Sequence, residues 1–60
     1  MKKKAIFWAH FKTSSTEHSR IKMVFGRKNC SLIIFMKWIE SEKNKIGGDD
    51  AIVVNMGIIK

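Results

Sequence analysis

The stretch that decides the fold is Ala5–Lys12, which reads AIFWAHFK. It is short and rich in aromatic residues, and both features favour a β-strand. Alternate residues of a strand point to opposite faces of a sheet, and here both alternating sets are largely apolar. The two sets are Phe7, Ala9, Phe11 and Ile6, Trp8, His10. Because a strand that is apolar on both faces is typical of a sheet interior, the sequence predicts a central strand.

Two further segments indicate strands. Arg20–Phe25 alternates, with an apolar residue at every second position, and Ala51–Ile59 (AIVVNMGII) is almost entirely apolar. The polar segment Thr13–Ser19 is expected to be the loop that joins the first two strands as a hairpin. Gly26–Asn29 and Gly47–Asp50 are expected to be turns.

The segment Cys30–Lys45 fits a helix better than a strand. Its apolar residues Leu32, Phe35, Met36 and Ile39 recur at the spacing of one helical face. Asn29 is expected to be the N-cap and Gly47 the C-cap. The nearly continuous apolar run at 32–36 also suits a strand, so that alternative stays open.

The order β-β-α-β predicts one α+β domain over residues 1–60, with Met1–Lys4 as a basic tail. A right-handed crossover through the helix places the third strand beside the first. We therefore expect a three-stranded antiparallel sheet in the order 2-1-3, with the helix packed on one face. The residues expected beneath the helix are Phe7, Ala9, Phe11, Ile21, Met23, Phe25, Ile52, Val54, Met56 and Ile58.

The opposite face of the sheet is the expected partner-binding surface. It should carry Ile6, Trp8, His10, Lys22, Val24, Val53, Asn55 and Ile59. A contiguous apolar patch of this kind usually marks a binding site, and self-association through it is the alternative. The residues expected to contact a partner are Trp8, His10, Lys22, Val24, Val53 and Asn55.

The third strand is expected to be an edge of the sheet. Ala51–Ile59 contains neither a charged residue nor a proline, the usual protections of an edge strand. We therefore expect it to pair with a second copy of the chain or with a strand of the target protein.

Size and charge limit the function. A chain of 60 residues has little core to spare for a buried polar active site, so an enzyme is disfavoured. The net charge of +7 suggests an acidic partner, either a protein surface or nucleic acid. In the nucleic-acid alternative, Trp8 would stack on a base and the phosphates would be met by basic residues. Those residues are Lys2, Lys3, Lys4, Arg20, Lys22, Arg27 and Lys28.

No cluster of reactive residues predicts a metal, a cofactor or catalysis. His10, His18, Cys30, Asp49 and Asp50 have no recognised ligand or nucleophile spacing. Cys30 is the single cysteine, so no disulfide can form within the chain, and a cytoplasmic location is expected. No apolar run approaches the length of about 18 residues that a membrane span needs, so no membrane partner is expected.

The chain resembles the Dmd family of small antitoxins from T-even coliphages. The resemblance lies in the length, the β-β-α-β order and three local patterns. These are Phe11-Lys12 before a Ser/Thr-bearing loop, Ile21-Lys22-Met23 in the second strand, and Asp49-Asp50 before the last strand. It implies a phage protein, acting in the host cytoplasm, that binds and blocks a host toxin. The charge of +7 and the very apolar helix depart from that family and leave open another host defence target.

Overall fold

The structure of the chain is a computed structural model, and it describes residues 3–60. These residues form three strands and one helix, in the order strand, strand, helix, strand. The elements are β1 (Lys4–Lys12), β2 (Glu17–Phe25), α1 (Leu32–Ile46) and β3 (Ile52–Ile59), with a 3-10 turn at Gly48–Asp50 before β3. The strands form one antiparallel sheet in the order β2-β1-β3. The predicted α+β class, element order and sheet order are confirmed. Met1 and Lys2 of the predicted tail lie outside the described residues, and Lys4 already belongs to β1.

The core lies between β1 and α1. Phe7 and Phe11 of β1 are fully buried and are covered by Phe35 and Ile39 of the helix. The Phe7 ring meets the Phe35 ring edge to face, with centroids 5.0 Å apart. The apolar run at 32–36 therefore belongs to a helix and not to a strand. The helical period places Phe35 and Ile39, one turn apart, on the face that packs against β1.

Both ends of α1 are capped by side chain or backbone. The N-cap is Ser31 and not the predicted Asn29: the Ser31 hydroxyl accepts the Ile34 N–H at 3.3 Å. Asn29 instead donates its side-chain amide to the Phe25 carbonyl at 2.9 Å, which closes the turn before the helix. Gly47 is the C-cap, as predicted, and its N–H donates to the Lys43 carbonyl.

The two faces of β2 are the reverse of the prediction. The loop is Thr13–Thr16, shorter than expected, and the Thr13 N–H closes it on the Thr16 carbonyl at 2.8 Å. The resulting register pairs odd-numbered β1 residues with even-numbered β2 residues, and paired residues share a face. A slip of one residue exchanges the faces of a strand, so the loop decides which set is buried. The prediction was wrong for Ile21, Met23 and Phe25, which face away from the helix, and for Lys22 and Val24, which face it.

A bulge in β3 makes the faces of its first residues differ from the prediction. His10 pairs with Asn55 but Phe11 pairs with Val53, so Val54 has no partner on β1. The alternation of faces is therefore interrupted at Val54. Val53, expected on the open face, packs against the core, whereas Ile52 and Val54, expected beneath the helix, are exposed.

Beyond the bulge, β3 follows the prediction. Met56 and Ile58 lie on the helix side and Asn55 and Ile59 on the other. Met56 nevertheless remains 44% exposed. Within residues 3–60, no helix has the length and apolar character needed to cross a membrane.

Candidate partner-binding surface

The side of the sheet away from α1, which we call the outer face, is apolar over more than half its length. The strand register brings six apolar side chains together there: Ile6, Trp8, Ile21, Met23, Phe25 and Ile59. Ile21 is 75% exposed, and Met23, Phe25 and Ile59 are each more than half exposed. This face is more apolar than the one predicted, because the reversed β2 contributes Ile21, Met23 and Phe25 in place of Lys22 and Val24.

Trp8 is the fixed centre of the outer face. It pairs with Ile21 on one side and with Gly57 on the other. A Cβ atom at Gly57 would lie 2.6–2.7 Å from three indole atoms of Trp8, so the ring rests directly on the Gly57 backbone. Packing of an aromatic ring over a strand glycine compensates for the missing side chain. Trp8 thus presents one side of its ring from a defined position.

A shallow groove runs along the outer face beside Trp8. Its volume is about 370 Å³ and it lies between β2 and the end of β3. Its apolar walls come from Ile6, Trp8, Ile21 and Ile59, and His10 closes one end. The groove is open and predominantly apolar, a shape suited to receiving a protruding side chain of a partner.

The far end of the outer face is polar and is organised around His10. The imidazole Nε2 lies 3.3 Å from Glu17 Oε1, and Nδ1 lies 3.1 Å from the Ser19 hydroxyl. A neutral ring satisfies both partners by donating from Nε2 and accepting at Nδ1. Glu17 and Ser19 were not predicted to belong to this surface, because both were assigned to the hairpin loop. In the structure they are residues of β2 two positions apart, so they lie on the same face. The Glu17 and Ser19 side chains hold the His10 ring in place beside the apolar region.

The opposite end of the molecule is strongly basic, and we call it the basic end. The start of β1, the end of β3 and the turn after β2 meet here, and the Gly26 N–H donates to the Lys3 carbonyl at 2.7 Å. The basic residues gathered there are Lys3, Lys4, Arg27, Lys28 and Lys60. The acidic residues lie elsewhere in the described chain: on α1, at the start of β2 and in the 3-10 turn. The basic end therefore borders the apolar half of the outer face.

The predicted nucleic-acid residues divide into two groups. Lys3, Lys4, Arg27 and Lys28 belong to the basic end. Arg20 and Lys22 lie on the helix side of β2, away from Trp8. The Arg20 Nε lies 3.6 Å from Glu42 Oε1, and the other oxygen of Glu42 lies 3.3 Å from Lys45 Nζ. Lys2 is outside the described residues.

The predicted partner-contact residues divide in the same way. Trp8, His10 and Asn55 lie on the outer face, as expected. Lys22, Val24 and Val53 lie on the helix side, so they do not belong to the same surface. The role of the first three in binding stays a prediction.

Two of the other reactive residues, Cys30 and Asp50, have structural contacts. Cys30 is buried with its sulfur 4.0 Å from the Val24 carbonyl oxygen. The Asp50 carboxylate accepts hydrogen bonds from the Ser14 N–H and hydroxyl, at 3.2 and 3.0 Å, and so ties the hairpin loop to the 3-10 turn.

Comparison of the chain with protein-family models, with curated proteins and with solved structures finds no match.

Proposed function

We propose that this chain is a small non-enzymatic binding protein of the kind that phages produce against a host toxin or defence factor. It would block that protein by covering its functional surface with the outer face. The observation that carries the proposal is the row of exposed apolar side chains on the helix-free side of the sheet. The phage origin and the antitoxin role in this proposal come from the resemblance to the Dmd family.

The preferred partner surface is apolar with acidic residues on its border. The apolar half of the outer face lies next to the basic end, so a partner that covers one half meets the positive charge of the other. Complementary charge increases the rate of association and fixes the orientation of the complex. Two copies of this chain that stacked their apolar halves with parallel strands would bring two basic ends together, and that like-charge contact is unfavourable. The five acidic residues lie away from the basic end, on α1, at the start of β2 and in the 3-10 turn, so a second copy offers the basic end few complementary charges. A different, acidic protein is therefore the favoured partner of the outer face.

The design of the face suits recognition by a few strong contacts. Trp8 is held on Gly57 and therefore loses little side-chain freedom when a partner binds. Tryptophan and its apolar neighbours are frequent among the residues that dominate binding energy. Ile21 and Met23 extend beyond the Trp8 ring and enlarge the area that a partner can cover.

The test uses two matched substitutions. Ile21→Glu places a charge on the outer face, and Ile33→Glu makes the same change on α1, where Ile33 is 69% exposed. Tagged protein is first used to capture its partner from nuclease-treated bacterial host lysate, and the partner is then purified. Calorimetry with the pure partner should show a loss of about 30-fold or more for Ile21→Glu, the scale expected at a binding hot spot. Ile33→Glu should bind within about twofold of the parent.

Inhibition of the partner's activity should fall in step with affinity. Equal weakening by Ile21→Glu and Ile33→Glu, in variants with parental melting temperatures, would place the binding surface elsewhere. Capture that disappears on nuclease treatment would favour nucleic-acid binding.

Nucleic-acid binding through the basic end is the second candidate. The concentration of Lys3, Lys4, Arg27 and Lys28 at one end, away from acidic residues, is the observation that favours it. Clustered Lys and Arg neutralise phosphates without reading sequence. Trp8 is bordered by Ile6 and Ile21, so the outer face itself is less suited to nucleic acid.

A further inference from the structure

The strand β3 has a free hydrogen-bonding edge. Among residues 3–60 it pairs with β1 on one side only, and the other edge strand of the sheet is β2. The segment Ile52–Ile59 contains no charged residue, whereas β2 carries Glu17, Arg20 and Lys22. Natural proteins protect exposed edges with charges, bulges or covering elements. In β3 the one such device is the bulge at Val54, which leaves Asn55–Ile59 regular.

The backbone of this regular part has groups that point outward. The Gly26 N–H donates to the Lys3 carbonyl, so the N–H and C=O groups of Lys3 point toward β2. These groups alternate in direction along a strand, so those of odd-numbered β1 residues point toward β2 and those of even-numbered residues toward β3. Asn55, Gly57 and Ile59 pair with those even-numbered residues and therefore face β1. Met56 and Ile58 consequently direct their N–H and C=O groups away from the sheet. The Asn55 side chain accepts the Met56 N–H at 3.0 Å, a local bond that an incoming strand can replace.

Apolar side chains border the free edge on the helix side. Ile34 and Trp38 line the groove between α1 and β2, so this flank of the helix faces β2. Successive helical residues are about 100° apart, so the residues about 160–200° around the axis from Ile34 lie on the opposite flank, which faces β3. That flank carries Leu32, which is 65% exposed, and Met36, which is 46% exposed. Leu32, Met36 and Met56 are thus exposed apolar side chains on the β3 side of the molecule.

The distribution of charge along the strands selects the orientation of a partner strand. β3 begins beside the acidic residues Asp49 and Asp50 and ends at Lys60, in the basic end. A second copy of β3 that ran antiparallel would place the basic end of each chain on the side of the acidic residues of the other. A parallel copy would place like charges together, which is unfavourable.

We infer that two copies of the chain pair through β3, antiparallel and around a two-fold axis, in a continuous sheet ordered β2-β1-β3-β3-β1-β2. The pairing uses Asn55–Ile59 and is centred near Gly57, where the strand is free of the bulge. Met56 of each chain then lies beside Ile58 of the other on the helix side. A two-fold contact of this kind is self-complementary and closed, so it stops at a dimer. The outer face of both copies stays open, so the inference is independent of the proposed function.

The test is the mass of the free protein in sedimentation equilibrium over a series of concentrations. The parent should be a dimer that dissociates on dilution. Met56→Lys, which adds the charge that natural edge strands carry, should raise the dissociation constant of the dimer by tenfold or more. Met23→Lys is the matched control, since Met23 is 55% exposed on the other edge strand, and it should leave the constant unchanged.

Amide hydrogen exchange gives a second readout that needs no variant. The Ile58 amide points outward, so its protection should increase with protein concentration, whereas the Gly57 and Ile59 amides are bonded to β1 at all concentrations. A parent chain that is monomeric at about 1 mM would overturn the inference. A dimer that survives Met56→Lys but dissociates with Met23→Lys would also overturn it.

Discussion

Phe7 and Trp8 are adjacent in β1 but have opposite roles. Phe7 is fully buried, with its ring 5.0 Å from Phe35 and 5.9 Å from Trp38. Phe7→Ala should therefore reduce the free energy of unfolding by about 3–5 kcal/mol, because a core cavity remains. Trp8→Ala should reduce it less and should instead weaken partner binding by about 2 kcal/mol or more. Urea unfolding and calorimetry separate the two effects, and unfolding caused by Trp8→Ala alone would reverse this assignment.

Gly57 is required by the ring above it. A methyl group at this position would lie 2.6–2.7 Å from the Trp8 indole, so Gly57→Ala should cost about 1–3 kcal/mol of stability through overpacking. In a Trp8→Ala background the same change should be neutral or stabilising, since alanine is favoured over glycine in a strand. The double-mutant cycle measures this coupling. Additive effects of the two substitutions would mean that the Trp8 ring does not rest on Gly57.

At the level of the elements, the N-terminal end of α1 depends on one hydroxyl. Ser31→Ala removes the acceptor of the Ile34 N–H and should destabilise the protein by about 1 kcal/mol. Ser41→Ala, on the exposed surface of the same helix, should be neutral or slightly stabilising because alanine is the better helix former. Thermal unfolding followed by circular dichroism compares them. Equal melting temperatures for the two variants would show that Ser31 is not the cap.

The hydrophobic periodicity of the sequence predicted which segments form strands and which forms the helix. It predicted only in part which face of each strand is buried. The alternation of Ile21, Met23 and Phe25 correctly indicated a strand, and the rule that apolar residues face the core placed them wrongly. The Thr13–Thr16 loop sets the register, and α1 lies over β1 more than over β2. Arg20 can then occupy the helix side by pairing with Glu42. This tertiary contact lies outside the local pattern that sequence periodicity reports.

The bulge in β3 was equally invisible to periodicity. Strict alternation assigns Val53 and Asn55 to one face, and the unpaired Val54 puts them on opposite faces. No glycine or proline marks the position in the sequence. As a result, the positions of Trp8, His10 and Asn55 on the outer face were predicted correctly, whereas the apolar residues of β2 were placed on the wrong side of the sheet.

For the molecule as a whole, the topology was predictable because a right-handed crossover and one doubly apolar strand leave few arrangements. The charge separation was not predictable in the same way, since it arises when distant parts of the chain, such as Lys4, Lys28 and Lys60, meet at one end of the sheet. The surface charge of +7 is thus concentrated rather than evenly spread.

This concentration predicts weak nucleic-acid binding that depends steeply on salt. Replacing Arg27 and Lys28 together by alanine should reduce the magnitude of the slope of log K against log salt by about 1.4, roughly 0.7 for each phosphate contact with a single strand. Replacing Lys12 and Lys37, which lie elsewhere, is the control with the same change in net charge and should have a smaller effect. Fluorescence anisotropy with a mixed-sequence single strand measures both. Selective binding that persists near physiological salt would make nucleic-acid recognition the main function.

If the outer face binds the partner protein, a nuclear magnetic resonance titration should show the contact at the Trp8 ring itself. The isotopically labelled chain is titrated with the purified partner while the two indole N–H signals are followed. Trp8 lies on the outer face and Trp38 on the helix side, so each chain carries its own internal control. We expect the Trp8 indole signal and the amides of Ile21 and Met23 to change while the Trp38 signal stays in place. Changes centred on Trp38 or on Leu32 and Met36, with the Trp8 signal unaltered, would show that the partner binds the helix side and not the outer face.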